Sequence, residues 1–156
     1  MAYGSGYNAR VIAPPAVLLA GALFAGFILE LVWPIGFLPV AYSLPGGFVL
    51  IFVAVNLMTF AAREMIKIKT TLSMEKPATD LATESVYAWS RNPIYLGMVL
   101  LCAGVAVFTN SLWMLLLAAA LGAVLQKGVI EPEEAYLERR FGRRYLDYKA
   151  RVRRWI

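Results

Sequence analysis

Residues 92–130 read NPIYLGMVLLCAGVAVFTNSLWMLLLAAALGAVLQKGVI, two apolar runs around a short polar turn, Thr109-Asn110-Ser111. No charged residue appears before Lys127. Asn92 is a favoured helix cap and Pro93 suits the first helical position, so a helix opens here and continues to about Phe108. A second apolar helix runs from Leu112 to about Val129, and the pair makes a helical hairpin. The first member, with about 16 residues, is roughly 24 Å long at 1.5 Å per residue, short of a ~30 Å hydrocarbon core. Its basic-side end therefore stops below the headgroups.

Working outward, the chain before this hairpin carries two more apolar segments. One runs roughly from Val11 to Trp33, with Pro14-Pro15 near its start, and about 20 apolar residues suffice to cross a bilayer. An uncharged loop with Pro39, Tyr42 and Pro45 follows, to Gly47. The next span starts near Phe48, passes Phe60 and continues through Arg63, Glu64, Lys67 and Lys69. The polar stretch Met1–Arg10 is followed by an apolar run too long for a signal h-region and without a clear cleavage pattern. Composition agrees: 60% hydrophobic residues, 16% charged and a mean hydropathy of +0.65 demand more apolar contact than one soluble domain of 156 residues can bury. The sequence predicts an all-α integral membrane protein with about four transmembrane helices. Its parts are two N-terminal spans (1–69), a loop (70–92), the hairpin (93–130) and an amphipathic tail (131–156). The loop, Thr70–Ser90 at its core, has room for one helical turn.

The charges lie on one side. Arg10, the 63–91 region and the tail after Lys127 hold every lysine and arginine, whereas the turns at 34–47 and 109–111 hold none. The positive-inside rule then places both termini and the middle loop in the cytoplasm, as an even number of spans requires; in a prokaryote the membrane is the plasma or inner membrane. The net charge of +5 sits beside apolar segments, where it meets anionic headgroups rather than nucleic acid. With one cysteine, Cys102, in an apolar run and no histidine at all, the chain offers no disulfide framework, no zinc site and no His-based catalysis.

In the tail, Leu137, Phe141, Tyr145, Tyr148, Val152 and Trp155 recur at intervals of three and four, one face of a helix, with arginines filling much of the rest. Such a helix lies in the membrane interface or packs on the mouth of the bundle. Gly142 marks a break. Glu30, inside the first span, is a functional candidate because ionisable residues at that depth are costly, although Trp33 nearby equally suits an interfacial position.

Two segments carry more than architecture: Leu81–Gly97 (LATESVYAWSRNPIYLG) and Glu131–Tyr148 (EPEEAYLERRFGRRYLDY). Each joins the charged-side end of a span to a helix start, so both can meet at one mouth. Arg91, Pro93, Tyr95 and Gly97 resemble the R-H-P-x-Y-x-G motif of the isoprenylcysteine carboxyl methyltransferase and phospholipid methyltransferase superfamily. Leu81, Thr83 and Tyr87 are similar to the run upstream of that motif, without a gap. Glu133-Glu134, Leu137, Phe141-Gly142, Tyr145 and Tyr148 resemble the superfamily's tail. Three positions depart: Asn92 stands in place of histidine, Ser85 in place of glycine and Val86 in place of proline. Asn92 can replace a histidine's hydrogen bonds but not its titration, and Ser85 is ill suited to a turn of positive φ.

The resemblance implies S-adenosylmethionine held at the charged mouth and a lipophilic methyl acceptor entering from the membrane lipid. Candidate cofactor contacts are Tyr87, Arg91, Asn92, Pro93, Tyr95, Leu96, Gly97, Glu131 and Glu133; candidate catalytic residues are Glu134 and Arg140, the arginine as a holder of an acidic substrate. The chemistry is consistent. A helix N-terminus and Arg91 suit a carboxylate, aromatic faces at Tyr87 and Tyr95 suit adenine or a sulfonium, and the glutamates suit cationic groups. Taken singly, Asn92-Pro93 is a cap, Glu131-Pro132-Glu133-Glu134 a helix start, the Tyr145/Tyr148 stripe packing, and Arg139 with Arg140 lipid-facing charge. The conjunction favours an enzyme. An NADPH-dependent reductase shares an arginine–proline–tyrosine signature but needs a longer chain, and a non-catalytic scaffold would tolerate alanine at Arg91, Tyr95 and Glu134. An isoprenylcysteine carboxylate, an aminophospholipid and an isoprenoid acid are all acceptors of the right kind.

Overall fold

A computed structural model describes residues 11–67 and 80–156; the polar stretch 1–10 and loop residues 68–79 lie outside the described residues. Among the described residues the chain is helical throughout, without strands. Helix α1 spans Pro15–Val32, α2 Val40–Lys67, α3 Pro93–Phe108 and α4 Leu112–Leu125. One turn of 3₁₀ helix, Ser85–Ala88, precedes α3. A turn of π-helix, Gln126–Ile130, leads into α5 at Glu131–Phe141, and α6 follows at Arg143–Arg151. Three stretches are long and apolar enough to cross a membrane: Pro15–Val32, Val40–Lys67 and the rod Leu112–Phe141; α3 is apolar but shorter. This is an all-α membrane protein.

The hairpin forms the centre, with α2 packed on α3 and α1 on α4. Small residues bring α2 and α3 together. A methyl group added to Gly104 would stand 2.9 Å from the backbone nitrogen of Ile51, and one added to Gly47 would strike the backbone of Phe108. Ala54 and Ala61 are wholly buried in the same seam. Lipid offers no hydrophobic drive for helix association, so close van der Waals contact between small residues must hold the pair. The outer faces carry Phe24, Phe27, Leu31, Phe48, Phe52 and Phe60, all exposed, as a lipid-facing surface requires.

Hydrogen bonds lock the uncharged end. Asn110, at φ +53°, accepts on Oδ1 from the amides of Phe37 (3.0 Å) and Leu38 (2.8 Å) and donates through Nδ2 to the Leu38 carbonyl (2.9 Å). Asparagine tolerates this left-handed conformation better than most residues. The Leu112 amide donates to Ile35, and Trp113 Nε1 to the Trp33 carbonyl. The wholly buried Ser111 caps α4 by accepting from the Met114 amide and donates to Glu30 Oε2 at 2.5 Å. Glu30, a functional candidate by its depth, thus serves here as an acceptor that ties α1 to the hairpin.

Two boundaries differ from the sequence reading. The loop expected to Gly47 ends sooner, because α2 begins immediately after Pro39, whose carbonyl accepts from the amides of Tyr42 and Ser43. Pro45 falls in the second turn and leaves only the Ala41 carbonyl without its helical donor. More consequentially, the hairpin's second helix does not stop at Val129. It continues to Phe141 as one rod of 30 residues, about 45 Å long and longer than the ~30 Å core. Pro132 lies inside this rod. It cannot donate to the Gly128 carbonyl one turn back, and its ring crowds that carbonyl, so the backbone widens into the π turn. The freed Gly128 carbonyl accepts from the Ile12 amide at 3.0 Å, fastening the start of α1 to the charged end.

Candidate active site at the charged mouth

Glu131, Glu133 and Glu134 occupy the first turn after the π turn, where α5 leaves the apolar part of the rod. Opposite stands the N-terminus of α3. The structure brings the two motif segments into direct contact here. Arg91 Nη2 lies 3.0 Å from Glu134 Oε1, with the two side chains only 8% and 7% exposed. Tyr95 Oη donates to Glu133 Oε2 at 2.8 Å. Arginine and tyrosine of one segment thus each engage one member of the acidic pair of the other.

A third contributor arrives from the end of the tail. Gly142, at φ +53°, separates α5 from α6, the break expected there. After α6 the chain turns extended at Val152 and runs back across the mouth. The Arg153 carbonyl accepts from the Arg91 amide (3.0 Å), and the Arg154 carbonyl from Asn92 Nδ2 (3.0 Å). Arg154 holds Glu134 in a fork, Nε to Oε1 at 3.2 Å and Nη2 to Oε2 at 2.9 Å. It also reaches Glu131 at 3.5 Å, which in turn pairs with Lys127 at 3.3 Å. Trp155 Nε1 donates to Gln126 Oε1 of the π turn. The aromatic stripe of the tail is packing: Tyr145 and Tyr148 are buried with Leu81 against Leu137, Phe141 and Val152, and Tyr148 Oη donates to the Tyr87 carbonyl at 2.7 Å. Burial pushes the hydroxyls of Tyr87, Tyr145 and Tyr148 well above the usual phenol range, so each is a neutral donor at physiological pH.

The remaining candidates fall in three places. Asn92 opens α3 without capping it; its side chain is spent on the tail, and the amides of Ile94 and Tyr95 bond to no protein acceptor among the described residues. Pro93 is fully buried beneath it. Gly97 faces α2, where an added methyl would meet Met58 and the Ala54 carbonyl. Leu96 lines an open groove of about 330 Å³ together with Leu57, Val86, Trp89, Trp155 and Ile156, and Ser90 is its polar wall. Arg140 is exposed on α5, outside the Arg91–Glu134–Arg154 cluster. The departure at Ser85 has a visible consequence. Its φ is +56°, so serine holds the left-handed conformation in which glycine is at ease.

The sequence does not single out Arg154 or Gln126, and it shows Trp155 only as part of the tail's apolar stripe. The one available signal is the surplus of carboxylates at 131–134, which calls for a cation, but nothing marks which of Arg151, Arg153 and Arg154 supplies it.

Among the described residues no group of three or more His, Cys, Asp or Glu is placed to hold a metal ion. One buried polar side-chain atom among them, Arg91 Nε, has no partner. An unpaired, buried guanidinium N–H suits an anionic group, as do the open amides at the start of α3.

The fold and this mouth define a membrane protein with a charged, partly buried site beside an apolar groove. Residues 42–144, well over half of the chain, match the phospholipid methyltransferase family, and the chain belongs to it. It is a membrane methyltransferase. The match runs from α2 into α6 and covers the first motif segment and the second as far as Arg144. Comparison with curated proteins and with solved structures returned no match.

Proposed function

We propose that this protein transfers a methyl group from S-adenosylmethionine to an amphiphilic acceptor dissolved in the membrane, at the mouth formed by Arg91, Tyr95, Glu133 and Glu134. The observation that carries the reading is the orphaned, buried Nε of Arg91, the residue two places before the first turn of α3. Leaving such a donor unsatisfied costs roughly 1–3 kcal/mol or more, and a ligand carboxylate relieves that cost. Bound S-adenosylmethionine would supply an electrophilic methyl on a sulfonium.

The chain's own residues bind and orient. Arg91 and the first turn of α3 hold the donor's carboxylate. The Tyr95–Glu133 pair lies within the same turn and presents an aromatic face and a carboxylate to cationic groups. Glu134 fixes Arg91, and Tyr87 and Pro93 back the site from inside. Transfer to a carboxylate or thiolate destroys charge, which a poorly hydrated site favours, with alignment supplying most of the rest. A carboxylate acceptor needs no base; an amine needs one, and Glu133 is the carboxylate placed for it. The apolar groove beside Ser90 takes the acceptor's hydrocarbon chain. Both termini lie in the cytoplasm, so the donor enters from water and the acceptor from lipid.

Titration of the purified protein with S-adenosylmethionine tests this reading. Saturable binding, abolished by Glu134→Ala and weakened by Tyr95→Phe, supports it; no binding in any lipid or detergent overturns it. Turnover with an isoprenylcysteine carboxylate against turnover with an aminophospholipid in vesicles then separates the acceptor classes.

A further inference from the structure

The segment Val152–Ile156 lies beyond the region matched to the family, yet it makes more polar contacts to the mouth than either motif segment makes to the other. Its Arg153 carbonyl holds the Arg91 amide, its Arg154 carbonyl holds Asn92, and its Trp155 indole holds the π turn. The Arg154 side chain covers both oxygens of Glu134, on which Arg91 also rests. Trp155 and Ile156 form one wall of the apolar groove. The same five residues therefore floor the polar site and border the greasy one.

From these contacts we infer that Arg154 is a positioning residue for methyl transfer: by clamping Glu134 it seats the segment 152–156 and orients Arg91 so that Nε stays turned to the donor. This rests on the function proposed above. The charges explain why a clamp is needed. Glu134 alone against Arg91 is one buried pair with a free oxygen that competes for Arg91 Nε. With Arg154 forked onto it, both carboxylate oxygens are engaged and Arg91 keeps Nε unspent, its Nη1 donating to the Lys149 carbonyl. Lysine can restore the charge of Arg154 but not the two-point contact.

The experiment is calorimetric titration of the full chain in lipid nanodiscs with S-adenosylmethionine, comparing wild type with Arg154→Gln, Arg154→Lys and Arg151→Gln. Arg154→Gln should weaken binding by about tenfold or more, the scale of one charge-assisted contact, with the melting temperature lowered only slightly because Arg154 is partly exposed. Arg154→Lys, which returns the charge without the two-point contact, should recover only part of the loss, and Arg151→Gln, on the exposed end of α6, should match wild type. Equal affinity of Arg154→Gln and wild type overturns the inference, as does full repair of the loss by Arg154→Lys, which would leave the fork without a role. If Arg154→Gln fails to fold, hydrogen exchange on wild type decides: the donor should slow exchange in peptides covering 90–92 and 152–156, and unchanged rates overturn the inference. Absence of donor binding to wild type would overturn the proposed function itself, whereas normal wild-type binding with an indifferent Arg154→Gln would overturn only the role of Arg154.

Discussion

Ser85 and Glu134 show how single residues depend on their surroundings. Ser85 is exposed, and its φ of +56° is strained for any residue with a Cβ. Ser85→Gly should raise stability by about 1 kcal/mol, the left-handed penalty less glycine's greater freedom when unfolded, read from the thermal or denaturant midpoint. Glu134 is held between two guanidinium groups in a buried setting. Glu134→Ala leaves Arg91 buried without its partner and should cost about 3–5 kcal/mol. Glu131→Ala removes more exposed contacts to Lys127 and Arg154 and should cost less than about 1 kcal/mol in the same assay. Equal losses would show that burial does not set the difference.

At the scale of elements, the rod Leu112–Phe141 couples membrane span to active site through its π turn. One extra residue in a turn rotates everything beyond it by about 100°, so Pro132 and the widened turn decide which way Glu133 and Glu134 point. Pro132→Ala supplies the missing N–H to Gly128, in competition with Ile12, and lets the rod close into regular α-helix. Far-UV circular dichroism should show helicity undiminished while S-adenosylmethionine binding is lost. Retained binding would mean that the acidic turn does not depend on the bulge.

For the whole molecule, pH and sidedness are the informative variables. Burial raises the folded-state pKa of Tyr87, Tyr145 and Tyr148 above the unfolded value near 10. Their contribution to stability is complete below pH ~10 and is lost as pH rises beyond it, so the tail should detach in alkali, seen as tyrosinate absorbance appearing together with unfolding. Asp80 behaves in the opposite sense. The Leu81 amide and Arg144 depress its pKa, so its contribution is present above the ordinary carboxylate range near pH 4 and disappears as pH falls through the lower folded value. Sidedness can be read directly because the native thiol, Cys102, is buried. A membrane-impermeant thiol reagent on intact cells should label Trp33→Cys and spare Arg139→Cys; the reverse pattern would invert the proposed orientation.

The all-helical fold, its membrane setting and the meeting of the two motif segments at the charged end were legible in the sequence. Length, hydropathy and charge sidedness are local or additive properties, and each motif residue announces itself by type and spacing. Periodicity likewise identified the stripe from Leu137 to Val152 that docks the tail. Three things were decided only by the tertiary structure. Glu131-Pro132-Glu133-Glu134 reads as a helix start, yet it lies inside a continuous rod, because Ile12, distant in sequence, satisfies the carbonyl that Pro132 leaves free. Gly97 reads as part of a binding motif, yet it sits where α2 approaches α3, a contact between chain segments about 40 residues apart. Arg154 reads as one more basic residue in an arginine-rich tail, yet it completes the mouth. A carboxylate buried between two arginines takes its partners from whichever elements the fold brings to it, and no spacing along the chain records that choice.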